Sequence, residues 1–98
     1  MRVFFSPEAR AEFDDGVRYY ERQVSGLGRH FRDEVKDAVR RMTHWPMAAP
    51  IERGEIRRPL LNRFPYKSLY SVEADHLYVI ALAHRHRAPN YWTGRREA

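Results

Sequence analysis

Leu77-Tyr78-Val79-Ile80-Ala81-Leu82-Ala83 is a nearly unbroken apolar run. Such a run reads as a central strand covered on both faces or nearly so. A chain of 98 residues builds one small domain, so the rest of residues 1–98 must supply that cover. Upstream, Tyr66–Val72 alternates as a strand, and Glu73-Ala74-Asp75-His76 makes a hairpin turn between the two. Arg2–Phe5 is short, apolar and aromatic, and is a further strand. Glu55–Leu61 reads as a strand that Pro59 confines to an edge or a bulge. The preceding Pro46, Pro50 and Gly54 mark a connecting loop.

Two helices complete the cover. Ser6 is a capping residue, Pro7 suits the first helical position, and Glu8 lies in the positive first turn. Ala9, Phe13, Val17, Tyr20 and Val24 then recur at steps of three and four, one apolar stripe along a helix. Ser25-Gly26 breaks it. Leu27, Phe31, Val35, Ala38, Met42 and Trp45 repeat the pattern until Pro46 ends it. Two such helices pack as an antiparallel hairpin. The expected architecture is α+β, in the order β-α-α-β-β-β: a helical hairpin on one face of a small, mainly antiparallel sheet, with the other face or its rim concave and open. Pro89 is expected to stop regular pairing after the last strand, and residues 94–98 to fray.

Composition narrows the function. Hydrophobic residues at 43% and aromatics at 13% specify a folded chain. The absence of cysteine excludes a disulfide framework, a thiolate zinc site and a cysteine nucleophile, and fits a reducing cytosol. No apolar stretch of membrane-spanning length exists, and the first residues carry no long apolar segment before Glu8, so a cytoplasmic protein without signal peptide is expected. The net charge of +5 is uneven: residues 1–49 carry 9 Lys/Arg against 8 Asp/Glu, and residues 50–98 carry 9 against 5. The basic half suits an anionic partner, whether nucleic acid, ribosome or acidic protein.

The basic half holds two clusters. In His84-Arg85-His86-Arg87 an extended chain would turn the histidines one way and the arginines the other. With no third ligand in the segment a metal is not expected, whereas two arginines suit a phosphate. Tyr91-Trp92 follows. Trp92 is expected to pack the tail onto the core. Tyr91 either stacks on a base or takes part in proton transfer, provided nearby cations lower its pKa from about 10. Arg57, Arg58 and Arg63 form the second cluster, before Phe64-Pro65-Tyr66-Lys67. Lys67 interrupts an apolar strand; it either snorkels from an edge or points into the concave face as a functional cation. Phosphate-loop, dinucleotide-binding, nucleophile-elbow and zinc-protease signatures are absent.

Taken in order, several elements resemble the RelE/ParE toxin superfamily, particularly its ParE-type branch. These are Phe5-Ser6-Pro7-Glu8-Ala9, Tyr19-Tyr20, Gly26-Leu27-Gly28, Phe64-Pro65-Tyr66, and Ala83-His84-Arg85-His86-Arg87-Ala88-Pro89-Asn90-Tyr91-Trp92. The resemblance spans residues 2–95. It implies the toxin of a bacterial type II toxin–antitoxin pair, without cofactor, that inhibits growth until an operon-encoded antitoxin wraps it; DNA binding is supplied by the antitoxin. It implies one of two targets. The ParE-like branch poisons DNA gyrase without catalysis, and the RelE-like branch cleaves mRNA in the ribosomal A site by metal-free attack of the ribose 2′-OH.

For the nuclease reading, the resemblance sets Arg85 on an arginine supporting the scissile phosphate. It sets Tyr91 on a tyrosine used in proton transfer or stacking, and Lys67 on a basic catalytic position that is usually arginine. Arg58 matches one lysine of the preceding strand, but Pro59-Leu60 replaces a second. Arg57, Arg63, Arg87, His84 and His86 remain as phosphate or target contacts; His84 and His86 are also candidate acid/base groups with near-neutral titration, although the family pattern does not assign them. A general nucleic-acid-binding module, the third reading, rests on charge alone.

Overall fold

Ser6 joins the first strand to the first helix and ties both to the centre of the sheet. In the computed structural model, which describes residues 1–88 and 90–95, strand β1 is Arg2–Phe5 and helix α1 is Pro7–Gln23. The Ser6 hydroxyl accepts from the Ala9 amide at 2.9 Å and donates to the Ile80 carbonyl at 2.8 Å. The expectation that Pro89 stops the pairing, and that of fraying over residues 96–98, lie outside the described residues.

Helix α2 runs over Leu27–His44. Ala9, Phe31, Val35, Ala38 and Met42 are buried, with Phe13, Val17, Tyr20 and Leu27 packed on them. Phe31 is fully buried against the rings of Phe13, Tyr20, Phe64 and Tyr66, a position where truncation to alanine costs about 3–5 kcal/mol. Both apolar stripes end one residue early. Val24 and Trp45 are the C-caps, and they are 61% and 64% exposed. At each cap the chain leaves the helical conformation, so the periodicity no longer aims the side chain at the core.

Four further strands follow: β2, Ile51–Arg53; β3, Ile56–Arg57; β4, Tyr66–Val72; and β5, His76–His84. The sheet order is β1-β5-β4-β3-β2. β5 is its centre, parallel to β1 and antiparallel to β4. The helical hairpin on a mainly antiparallel sheet is as the sequence specifies. The exception lies between Met47 and Leu61. A single strand over Glu55–Leu61 is replaced by a small β2–β3 hairpin turning at Gly54, whose φ is +58°. Pro59 ends the pairing early because it has no N–H, and beyond it only the bridge between Leu60 and Lys67 continues.

A bulge divides the central strand between two cores. Leu69 pairs with Ala81 but Tyr70 pairs with Val79, which leaves Ile80 extra. Leu77, Val79 and Leu82 therefore join the core under the helices, while Ile80 and Ala81 join Leu69 and Trp92 on the opposite face. Trp92 is 6% exposed. That face is thus partly covered by the C-terminal segment rather than fully open. What remains is a depression of about 480 Å³ beside Trp92, bordered by Arg53, Ile56, Tyr78 and Arg95.

Candidate functional site

Strand β1 is too short for β5, and the site is built where it runs out. The parallel pairing stops at Phe5 with Val79, and the next backbone groups of β5 need other partners. Ser6 takes the Ile80 carbonyl, which also accepts from Arg95 Nη1 at 3.3 Å. The Leu82 amide donates to Glu12 Oε1 at 3.0 Å. Glu12 reaches it because it flanks Ala9 and Phe13 on the core side of α1.

Glu12 also organises the C-terminal segment. Its Oε2 accepts from the Tyr91 hydroxyl at 2.8 Å, and its two oxygens accept from Arg95 Nη1 and Nη2 at 2.9 and 3.1 Å. This charge-assisted fork is bidentate and well shielded, with both side chains under one-fifth exposed. Two guanidinium groups stand against the ring of Tyr91, Arg87 at 4.5 Å and Arg95 at 4.8 Å from its centroid.

The cations do not activate Tyr91. Burial, then the hydrogen bond to Glu12 and the carboxylate charge, hold its phenol far above the ordinary value, outweighing the lowering by Arg95 and Arg87. The condition attached to proton transfer, a lowered pKa, is therefore not met: the nearest charge to the hydroxyl is an acid.

The strand end at His84 governs the neighbouring residues. His84 is the last residue of β5, and a turn follows in which the Arg87 amide donates to the His84 carbonyl at 2.9 Å. The strict alternation expected of an extended chain is lost there. Instead the His86 amide donates to His84 Nδ1 at 3.2 Å, and the two imidazoles lie 5.3 Å apart. His84 also packs edge-on to Tyr66. The Arg85 amide is held by the Pro65 carbonyl at 2.7 Å, and the side chains of residues 84–87 are exposed. Among the described residues no group of three or more His, Cys, Asp or Glu is placed to hold a metal.

The second cluster is separated into structural contacts. Lys67 Nζ lies 3.4 Å and Arg58 Nε 3.0 Å from opposite oxygens of Glu52. Lys67 lies two residues from Leu69 and so shares its face of the sheet, but its side chain is only 17% exposed and its ammonium is engaged by that acid. Arg57 Nη1 donates to the carbonyls of Met47 and Ala49, fastening the loop after α2. Arg63 stands apart beside α2, where its amide donates to Glu34.

No protein-family model matches the chain, and no curated protein matches it. Among solved structures, a chain of the chromosomal ParDE TA system from P. aeruginosa matches with a TM-score of 0.64 and 17% identity, covering 86% of this chain and 95% of that one. The two chains share one fold. What they share is the α+β fold, and in this chain Arg85, Arg87, His84 and His86 form an exposed basic end of β5.

Glu12 was not among the residues singled out from sequence. Its signal was available: positions 9, 12, 13, 16, 17 and 20 form the inner stripe of α1, and an acid among them must find donors. Glu52 offered no such sign, since its strand has three residues.

Proposed function

We propose that this chain is the growth-inhibiting toxin of a bacterial type II toxin–antitoxin pair, of ParE type. It acts in the cytoplasm on DNA gyrase as an inhibitory binding protein, and a cognate antitoxin encoded beside it neutralises it and supplies DNA binding. The fold shared with a ParDE chain and the toxin-like sequence elements support the toxin reading.

One observation favours gyrase over ribosome-bound mRNA: Tyr91 and Lys67, two of the residues that the resemblance sets on the nuclease's catalytic positions, are committed to structure, whereas the exposed His84 and His86 match no assigned position. The Tyr91 hydroxyl is bound to Glu12 and its phenol is held protonated, and Lys67 shares Glu52 with Arg58. A metal-free nuclease needs a base for the 2′-OH and an acid for the leaving 5′ oxygen. An inhibitory binding protein needs only an exposed surface such as His84–Arg87.

Regulated expression of the chain, with and without the neighbouring open reading frame, tests the proposal. Growth arrest relieved by the neighbour's product, with early induction of the SOS response and gyrase–DNA adducts, is expected. Rapid cleavage of mRNA within codons, without DNA damage, would transfer the chain to the nuclease branch; in that case Arg85→Ala and Tyr91→Phe should both abolish toxicity. No arrest and no complex with the neighbour's product would end the toxin reading.

A further inference from the structure

We infer that Glu12 is the positioning residue of the C-terminal basic segment. It holds Tyr91 by the hydroxyl, and the Tyr91 ring in turn holds Arg87 as the group that meets an acidic side chain of the target protein. The target half of this statement rests on the gyrase reading above; the clasp itself does not.

Three observations carry it. First, the two arginines at the Tyr91 ring differ in their partners. Arg95 is neutralised by a bidentate fork on Glu12, whereas Arg87 contacts the ring and, among the described residues, has no carboxylate bonded to it. Its charge is available. Second, Arg87 lines a cleft of about 330 Å³ between α1 and the end of β5, together with Arg22, Tyr19, Tyr66 and His84. Of the two acids at that cleft, Glu12 is taken by Arg95 and Asp15 is paired with Arg18. Among the described residues, the charged side chains there with no acid bonded to them are the guanidinium groups of Arg22 and Arg87, which suit a carboxylate. Third, the hydroxyl of Tyr91 is spent on Glu12, so the face of the ring, not the phenol oxygen, is what Tyr91 offers. A stacked guanidinium loses less freedom when it binds than a free one.

The test uses the full chain and four variants, Glu12→Gln, Tyr91→Phe, Tyr91→Leu and Arg87→Ala. Each is checked by circular dichroism, by the NMR shifts of the Arg87 side chain, and by inhibition of gyrase supercoiling. Gln keeps an oxygen for the Leu82 amide but faces Arg95 Nη2 with a donor and meets the Tyr91 hydroxyl with a neutral amide in place of the carboxylate, so the fold survives while the clasp weakens. In the parent the ring current shifts the Arg87 δ-protons upfield, and Tyr91→Phe, which breaks the hydroxyl–carboxylate bond but keeps the ring, retains only part of that shift. Tyr91→Leu removes that shift and Glu12→Gln reduces it. Inhibition falls roughly tenfold or more in Arg87→Ala, the loss of one charge-assisted contact. Tyr91→Leu weakens it more than Tyr91→Phe does, and adding Tyr91→Leu to Arg87→Ala weakens it little further.

Unchanged Arg87 shifts in Glu12→Gln would overturn the clasp. Equal inhibition by the parent and Arg87→Ala would overturn the role of Arg87. Tyr91→Phe as weak as Tyr91→Leu would return the function to the hydroxyl and overturn the inference. A parent with the ring-current shift but no effect on gyrase defeats the target reading instead; cleavage of ribosome-bound mRNA by that protein would identify a nucleic-acid phosphate as the group Arg87 meets.

Discussion

A Cβ placed on Gly28 would stand 2.6 Å from the carbonyl oxygen of Val17. No methyl group fits there, so the two helices cross at a distance that only glycine permits. The opposite side of the hairpin is equally close: a Cβ on Gly16 would lie 2.7 Å from the ring of Phe31. Gly28→Ala must push backbone away from backbone. It is expected to destabilise the domain by about 1–3 kcal/mol, read as a lower urea midpoint with an unchanged denaturant slope.

Glu21 supplies the cap that α2 lacks. Gly26, at the helix N-cap, has no side chain, and the Glu21 carboxylate of the preceding helix accepts from the amides of Gly26 and Gly28 at 2.9 and 3.1 Å. The Gly26 hydrogen bond leads in lowering its pKa below the ordinary 4.5. A lowered folded value means that the stabilisation is present above the unfolded value and disappears as the pH falls through the folded one. Thermal melts between pH 6 and pH 2 should show this acid loss in the parent and a shallower one in Glu21→Ala, which starts from a lower melting temperature. Equal slopes would remove Glu21 as the cap.

Tyr91 should give the opposite dependence. Its pKa is raised, so its contribution is complete below the unfolded value of about 10 and is lost as the pH rises toward the folded one. In an alkaline absorbance titration of the native protein, parent and Tyr91→Phe should coincide through pH 11, because Tyr91 has not ionised. A parent curve one tyrosine larger at pH 10–11 would show a free phenol and break the assignment to Glu12.

The Lys67–Glu52–Arg58 contact predicts a non-additive pair. Glu52 and Lys67 are both under one-fifth exposed, so Glu52→Gln leaves a shielded ammonium poorly partnered and should cost about 1–3 kcal/mol. Lys67→Met added to it removes the charge as well, and the double variant should recover part of that loss. Urea unfolding of the two single variants and the double variant measures the coupling; simple additivity would mean that the pair does not interact.

The parts of the fold legible in sequence are those with a local signal. Ser6-Pro7 marks a helix start whatever surrounds it. The inner stripes from Ala9 and Leu27, and the alternation of Tyr66–Val72, are long enough to declare a period. The β2–β3 hairpin is not, since strands of three and two residues contain hardly one repeat. Nor does any local signal say that Arg2–Phe5 pairs with a strand more than seventy residues away. The site follows the same division. The arginines around Tyr91 are visible as neighbours in sequence, and they suggest a lowered phenol pKa. The acid that reverses this comes from α1 and becomes adjacent only through the fold. Trp92, expected to pack the tail, does so because the bulge turns Ile80 and Ala81 toward it.

The pairing of β1 with β5 also sets a timetable. During synthesis the hairpin of α1 and α2 can form from neighbouring residues, but the sheet that anchors it has no centre until His76–His84 has been made. Contacts of such long sequence separation form late. The basic end of β5 and the tail clasped by Glu12 come later still. A nascent chain therefore holds neither its core nor its basic β5 end until His76–His84 has been made, and a fragment stopped before Leu77 lacks the centre of its sheet.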